Sequence, residues 1–185
     1  QLKFGGCGVG YIPVTSAISG YRPTVQHNFG GWSSHATNDS GGFDKVKQGI
    51  SGHYFFPSKG AYVQLKGLDK YVSRLDTCEI STLYFQNKGF VAVRSKVNNA
   101  SEGKLYEATG TGEVQTFSVE GKIGQVRWSV EKSDSAIFYG VAMDGKGGVT
   151  LDNFSVRGSS GLHLRGIPLP TLRAFRRLRP YDLII

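Results

Sequence analysis

The middle of the chain consists of short runs of β-branched and aromatic residues separated by turn-forming residues. From Thr24 to Met143 these runs recur at intervals of roughly 8–15 residues, and no helical periodicity interrupts them. The separators, such as Asn87-Lys88-Gly89, favour tight turns because Asn and Gly readily adopt positive φ angles. The pattern therefore predicts antiparallel β-structure. The candidate strands are Thr24–Phe29, Gly52–Phe56, Ala61–Leu65, Thr82–Gln86, Phe90–Lys96, Val114–Val119, Gln125–Glu131 and Ala136–Met143.

Short strands without intervening helices predict a mainly β fold, in which two packed antiparallel sheets form a β-sandwich or jelly roll. Hydrophobic residues make up 39% of the chain and aromatic residues 12%, which is enough for a core. Trp128 lies within an alternating strand and is expected in that core. No apolar run approaches the roughly 20 residues of a membrane span. The residues expected beside Trp128 are Val130, Ile137, Phe138 and Val141.

The regions on either side of the β-rich segment differ from it in composition. Residues 1–23 are rich in glycine and are expected to form a connector with one short extended piece, Val9–Val14. Their glycine spacing does not match a phosphate-binding loop. The β-rich domain is expected to span residues 24–144, and a third segment is expected to span residues 145–185.

The segment 145–185 predicts a strand, a turn, a helix and a second strand. Val149–Val156 has the composition of a strand, and Asp182–Ile185 begins another apolar strand. Between them, apolar residues repeat at helical spacing, after two prolines suited to a helix N-terminus and before Pro180. The apolar helix positions are Leu172, Phe175 and Leu178.

A strand–helix–strand crossover needs a parallel sheet to cover it. The segment is therefore expected to be a βαβ fragment of an α/β domain, and the chain to be a piece of a longer protein. Without that sheet, its apolar faces are expected to pack on the sandwich or to mediate self-association, because burial of apolar area gains roughly 25 cal/mol per Å².

The net charge of +8 is concentrated near the C-terminus. Residues 157–185 contain six arginines and one acidic residue, Asp182, whereas residues 1–156 are nearly neutral. A basic domain that binds nucleic acid or a membrane surface is the third and least favoured of three hypotheses, because no zinc-finger spacing, RNA-binding motif or heptad accompanies the arginines. A solvent-exposed Arg-rich helix face is expected instead, with no nucleic-acid partner.

Cysteines and histidines do not form a metal-ligand pattern. Cys7 and Cys78 are the only cysteines, and their separation fits neither a CxxC motif nor a zinc site. One disulfide and two buried thiols are both consistent with the sequence. Neither a metal nor another cofactor is expected. The scattered histidines are His27, His35, His53 and His163.

The junction after the β-rich domain resembles a conserved block of a known enzyme family. Residues 148–162, GVTLDNFSVRGSSGL, resemble the second conserved block of SGNH (GDSL-type) hydrolases, a strand followed by Asn-x-x-x-x-Gly, with Asn153 and Gly158 at that spacing. The closing LRPYDLII resembles the strand that leads into the Gly-x-Asn block of these enzymes. FGGCGVGYIPV, GGWSSH and VAMDGKGGVTLDN resemble a bacterial subgroup, common in Bacteroidetes, that carries a β-sandwich between the first and second blocks.

The resemblance implies that this chain has no complete catalytic site. The Gly-Asp-Ser block with the nucleophile would precede residue 1, and the Gly-x-Asn and Asp-x-x-His blocks would follow residue 185. Of the signature residues only Gly158 is present, and in the family its backbone N–H contributes to the oxyanion hole. The alternative is that Gly158 only supplies a turn conformation.

Three neighbouring residues are candidates for contact with the substrate, namely Asn153, Arg157 and Ser159. A nucleophilic role for Ser159 or Ser160 is not expected, because GSSG does not match the G-x-S-x-G spacing and no His and acid are arranged to activate them. Both serines are interpreted as turn or helix-capping residues. A solvated Arg157 is the alternative to substrate contact.

The resemblance further implies hydrolysis of an ester, such as an acetyl group on a glycan, by an exported serine-type enzyme. A sandwich inserted in such an enzyme is similar to carbohydrate-binding modules, which use aromatic side chains and amide or carboxylate groups to hold sugars. Trp32 is expected to be exposed, because it follows Gly30-Gly31 and precedes a polar loop. The candidate sugar-binding residues are Trp32, Tyr21, Asn38 and Asp39, with Tyr54, Tyr62 and Tyr71 as further loop aromatics; packing within the sheets is the alternative for each.

These observations lead to a first hypothesis, that the chain is the non-catalytic accessory part of a secreted SGNH-type esterase with a glycan or esterified glycan as its partner. The second hypothesis is a stand-alone carbohydrate-binding module.

Overall fold

The computed structural model describes residues 5–37, 39, 42–69, 77–154 and 161–185. This part of the chain contains nine strands, one α-helix and three short 3₁₀ turns. The mainly β, antiparallel prediction is confirmed. The elements are β1 (Gly8–Pro13), β2 (Val25–Ala36), β3 (His53–Gly67), β4 (Cys78–Gln86), β5 (Val91–Val97), β6 (Lys104–Ala108), β7 (Val114–Ile123), β8 (Gln125–Ser133), β9 (Ile137–Asp144) and α1 (Leu169–Leu178), with the 3₁₀ turns at Ser19–Tyr21, Lys45–Lys47 and Leu162–Gly166.

The strands form one antiparallel sheet that bends into a nearly closed barrel. The order is β6-β5-β8-β3-β9-β4-β7, with β1 added along β9 and β2 along β3. The two halves are joined through β3, because its residues 62–66 pair with β8 while Phe55 pairs with Phe138 of β9. The two layers predicted from the sequence are thus the halves of one continuous sheet.

Two predicted strand boundaries change in the structure. The segments Gly52–Phe56 and Ala61–Leu65 belong to the single strand β3. The strand predicted to end at Phe29 continues to Ala36, because Gly31 adopts φ +76° and forms a β-bulge instead of a turn. A Cβ at Gly31 would lie 2.8 Å from the Ala61 Cα, so the close approach of the two strands also requires glycine.

The inner faces of the strands form the main hydrophobic core. Trp128 is buried there, and its indole N–H donates to the Ser81 hydroxyl at 3.2 Å. Val130, Phe138 and Val141 share this core as expected. Ile137 instead lies on the outer face of β9, where it packs against a second cluster.

That second cluster joins helix α1 to the outside of the barrel. The helix places Phe175, which is 1% exposed, on the rings of Tyr84 and Tyr139, with ring centroids 5.9 and 5.3 Å apart. Leu172 and Leu178 pack at the border of the cluster. The helix therefore covers its apolar face by packing on the barrel, one of the two outcomes expected from the sequence.

The two strands predicted on either side of this helix are not formed in the described residues. Residues 149–154 and 182–185 have no strand pairing. A parallel crossover needs a parallel sheet, and every pairing described here is antiparallel. Phe154 instead packs against Tyr11 with ring centroids 5.4 Å apart, while Leu183, Ile184 and Ile185 are exposed.

Within the described ranges, no helix is long and apolar enough to cross a membrane. Cys7 and Cys78 do not form a disulfide with each other; Cys78 is buried, whereas Cys7 is partly exposed.

Candidate glycan-binding groove

The half of the sheet that α1 does not cover presents a polar outer face. Val63, Leu65 and Trp128 point into the core, so the residues alternating with them point outward. We call the outer surface of β2, β3, β8, β5 and β6 the polar sheet face.

Strand register brings polar residues from three strands into line on this face. Asn28 of β2 lies opposite Gln64 of β3, and Gln64 lies opposite Arg127 of β8. In the next row, Gly30 lies opposite Tyr62. Residues far apart in the sequence therefore converge on one surface.

These residues line a groove with a volume of about 370 Å³ at the edge strand β2. Its lining combines two aromatic rings, two carboxamides, a hydroxyl, an imidazole and a guanidinium, a set that suits a ligand rich in hydroxyl groups. The lining residues are Ser19, His27, Asn28, Phe29, Tyr62, Gln64 and Arg127.

Arg127 and Tyr62 form a stacked pair in the groove. The guanidinium carbon lies 3.6 Å from the centroid of the Tyr62 ring, which is a close cation–π contact. Arg127 Nε also donates to the Ser129 hydroxyl at 3.4 Å. These two contacts restrain the guanidinium at the groove that Arg127 lines.

The carboxamides of Asn28 and Gln64 are available to a ligand. Neither side chain has a hydrogen-bond partner in the described part of the chain, and Asn28 is exposed. Each amide offers two donor hydrogens and one acceptor oxygen. A pair of adjacent sugar hydroxyls matches this combination.

His27 forms a buried border of the groove. Its Nε2 lies 3.0 Å from the Val14 carbonyl oxygen, so Nε2 carries the proton and donates to it. Burial lowers the pKa of His27 to about 4, and the ring is therefore neutral at neutral pH. Its ring lies against Phe29, with centroids 4.8 Å apart.

The expected exposure of Trp32 is wrong. Trp32 lies within β2, where its indole N–H donates to the Tyr62 carbonyl oxygen at 2.7 Å and its ring meets Phe138 edge-on at 5.2 Å. The bulge at Gly31 changes which residues face the core, so Trp32 packs against it.

Of the other predicted sugar-binding residues, Tyr21 and Asp39 are described and do not line the groove. Tyr21 is 86% exposed and belongs to the same 3₁₀ turn as Ser19, which does. The Asp39 carboxylate accepts a hydrogen bond from the Ala36 backbone N–H at 2.7 Å, and Asn38 lies outside the described residues.

Of the two further aromatic candidates that the structure describes, Tyr62 lines the groove and Tyr54 does not. Tyr54 is buried and stacks on His35, with ring centroids 4.8 Å apart. Tyr71 lies outside the described residues.

The oxyanion-hole candidate also lies outside the described residues. Gly158, Arg157 and Ser159 fall in the range 155–160, for which no structure is described. Asn153 is described and is exposed, between the partly buried Asp152 and Phe154. The structure therefore leaves the family role of these residues as a prediction.

A buried charge cluster holds the C-terminal segment on the barrel. Arg179 forms an ion pair with Asp152 and a bidentate pair with Asp144 at 2.7 and 3.0 Å. Asp152 also accepts hydrogen bonds from the Tyr181 hydroxyl at 2.8 Å and from the Tyr11 backbone N–H at 2.9 Å. The expected exposed arginine face is thus incomplete, because Arg179 is only 10% exposed.

The cluster keeps Asp152 ionised. Burial alone would raise the pKa of this carboxyl group, but the hydrogen bonds and positive charge of Arg179 outweigh it, and the pKa lies below its ordinary value. Each charged group of the cluster takes part in an ion pair. The cluster joins the C-terminal segment to β1 through Tyr11 and to β9 through Asp144.

Neither the protein-family models nor the curated proteins include a match to this sequence. Solved structures do match. A peptidoglycan O-acetylesterase aligns with a TM-score of 0.65 at 15% identity, over 92% of this chain and 44% of that chain. A family two carbohydrate esterase from Cellvibrio japonicus aligns with a TM-score of 0.42 at 11% identity, over 81% and 36%.

A family 29 carbohydrate-binding module aligns with a TM-score of 0.40 at 12% identity, over 72% of this chain and 87% of that one. The first of these three comparisons shows a shared fold over nearly the whole chain. The chain spans less than half the length of that esterase.

Proposed function

We propose that this chain is the accessory part of an SGNH-type carbohydrate esterase, exported from the cell, and that it binds glycan in the groove on the polar sheet face. The main support is the fold shared with a peptidoglycan O-acetylesterase over 92% of this chain. The resemblance of residues 148–162 to the second SGNH block supports the same proposal from the sequence. In this proposal residues 145–185 belong to the catalytic domain, and Gly158 supplies an oxyanion-hole N–H.

The groove supports the glycan-binding part of the proposal. Asn28 and Gln64 can hydrogen-bond sugar hydroxyls, while the Tyr62 ring and the Arg127 guanidinium provide a flat surface beside them. Of the residues first considered for sugar contact, Tyr62 lines the groove, and Tyr21 belongs to the same 3₁₀ turn as the lining residue Ser19. Trp32 is not included, because its polar group is already bonded within the sheet.

The test has a catalytic arm and a binding arm. The isolated chain is expected to hydrolyse p-nitrophenyl acetate no faster than the buffer does, because the nucleophile and its base lie elsewhere in the proposal. Activity that disappears when Ser159 or Ser160 is changed to Ala would contradict the accessory role.

In the binding arm, the chain is expected to co-sediment with insoluble peptidoglycan sacculi. Gln64→Ala removes an amide from the groove and is expected to weaken binding by about 5- to 10-fold, the equivalent of one or two neutral hydrogen bonds. Gln26→Ala is the matched control, since Gln26 is an exposed residue of β2 that does not line the groove. Equal effects of the two variants, or no sedimentation, would contradict the proposal.

A stand-alone carbohydrate-binding module is the second candidate. It is favoured by one observation, that the groove is lined entirely by residues before position 145. The sequence of the complete gene product distinguishes the two. A Gly-Asp-Ser block before residue 1 and a Gly-x-Asn block after residue 185 support the esterase, and a complete product without them supports the module.

A further inference from the structure

The charges on the polar sheet face are mostly positive. Lys66, Arg94, Lys96 and Arg127 lie on β3, β5 and β8. The acidic residues are Glu131, which neutralises Arg94 at 2.7 Å, and the exposed Glu107 of the edge strand β6. Lys96 donates to the Ser101 carbonyl oxygen at 3.0 Å, which leaves its charge uncompensated. The face therefore carries excess positive charge next to the groove.

Arg127 is the cation inside the groove. Within the described part of the chain it has no acidic partner, although its side chain is partly buried and held against Tyr62 at 3.6 Å. A guanidinium that is fixed in this way presents a planar fork of N–H donors, the geometry that binds a carboxylate through two parallel hydrogen bonds.

The surroundings of Arg127 fit a sugar that carries such a carboxylate. Gln64 lies opposite Arg127 in the strand register, and Asn28 lies opposite Gln64. The row thus places two neutral amides beside one cation. Amides match hydroxyl groups, while the guanidinium matches a single negative charge.

We propose that the groove is selective for a carboxylate-bearing glycan, with Arg127 as the residue that binds the carboxylate and Gln64 and Asn28 as ligands for neighbouring hydroxyls. This inference rests on the proposed glycan-binding function and narrows its substrate class to acidic sugars. Lys66 and Lys96 contribute a favourable field around the groove without direct contact.

The probe is polygalacturonate, compared with the same polymer after its carboxyl groups have been reduced to primary alcohols. Affinity electrophoresis of the whole chain at 0.15 M salt, about the physiological value, measures retention by each polymer. The wild-type chain is expected to bind polygalacturonate about tenfold or more tightly than the reduced polymer, the contribution of a charged hydrogen-bonded pair.

Two arginine variants separate a specific site from general attraction to a polyanion. Arg127→Gln is expected to lose about tenfold in affinity for polygalacturonate and little for the reduced polymer. Arg177→Gln removes the same charge from an arginine on α1 whose side chain is 66% exposed, and is expected to stay within about twofold. Arg127→Lys keeps the positive charge but lacks the planar set of N–H donors, and is expected to bind polygalacturonate with intermediate affinity. This variant also provides a test if Arg127→Gln does not fold.

The outcomes distinguish this inference from the function on which it rests. Equal losses for Arg127→Gln and Arg177→Gln, or equal binding of the two polymers, would overturn the carboxylate site and leave glycan binding intact. Binding of peptidoglycan sacculi that is unaffected by Arg127→Gln would do the same. Failure of the wild-type chain to bind any of the three materials would overturn the proposed glycan binding itself.

Discussion

His27 shows how a single buried side chain makes stability depend on pH. Its folded pKa is about 4, lowered by burial, whereas an unfolded histidine has its ordinary value of 6.5. Between these values the unfolded chain binds a proton that the folded chain does not. The folded state is therefore favoured above pH 6.5 and loses that stabilisation as the pH falls toward 4, by up to about 3 kcal/mol.

We predict that the melting temperature of the wild-type chain falls between pH 7 and pH 4.5. This range lies above the ordinary pKa values of most carboxyl groups. His27→Asn removes the titrating group and is expected to flatten this part of the profile, even if its melting temperature is lower throughout. Circular dichroism melts of both proteins across the range provide the measurement. Parallel profiles would show that His27 does not account for the pH dependence.

The groove residues could be predicted from the sequence individually but not as a group. Gln64 alternates with the apolar Val63 and Leu65, which places it on the outer face of a strand. Its meeting with Arg127 depends on the pairing of β3 with β8, strands that are distant in the sequence. Tyr62 was among the candidates, whereas Asn28, Gln64 and Arg127 were missed.

Trp32 is less exposed than expected for a local reason. Two consecutive glycines precede it, and this pattern is typical both of a turn and of a β-bulge. Only the register between β2 and β3 distinguishes the two, and it places Trp32 against the core.

At the scale of elements, the cluster around Arg179 is expected to be the main polar attachment of the C-terminal segment. Arg179→Met would leave Asp144 and Asp152 buried without their counter-charge, and is expected to lower the free energy of unfolding by about 3–5 kcal/mol. Arg177→Met breaks an exposed pair with Glu113 and is expected to cost at most about 1 kcal/mol. Urea unfolding at pH 7 compares them. Similar losses for the two variants would contradict a structural role for the buried cluster.

The elements themselves were predictable to different degrees. Helix α1 was found because its apolar residues repeat at helical spacing and prolines mark both its ends. Strand β6 was missed because its sequence KLYEA is short, charged and without β-branched residues, as suits an exposed edge strand. Residues 149–154 have strand composition but no strand partner in the structure, and a strand forms only where its backbone groups are paired.

At the scale of the whole molecule, helix α1 covers only one of the two outer faces of the barrel. Helix α1 packs on residues of β4, β7 and β9, while the groove occupies β2, β3 and β8 on the other half of the sheet. Covering one face with the C-terminal segment leaves the polar face available for a ligand. Three apolar residues at the end of the chain are exposed, namely Leu183, Ile184 and Ile185. Self-association through them therefore stays a prediction.

The central claim is that glycan binds in the groove on the polar sheet face. The most direct measurement is a titration of the isotope-labelled chain with soluble glycan fragments released from peptidoglycan, followed by the shifts of its backbone amide signals. The account predicts that the largest shifts cluster in residues 26–30, 62–66 and 125–129. Shifts confined to residues 161–185, or no shifts at saturating glycan, would contradict it.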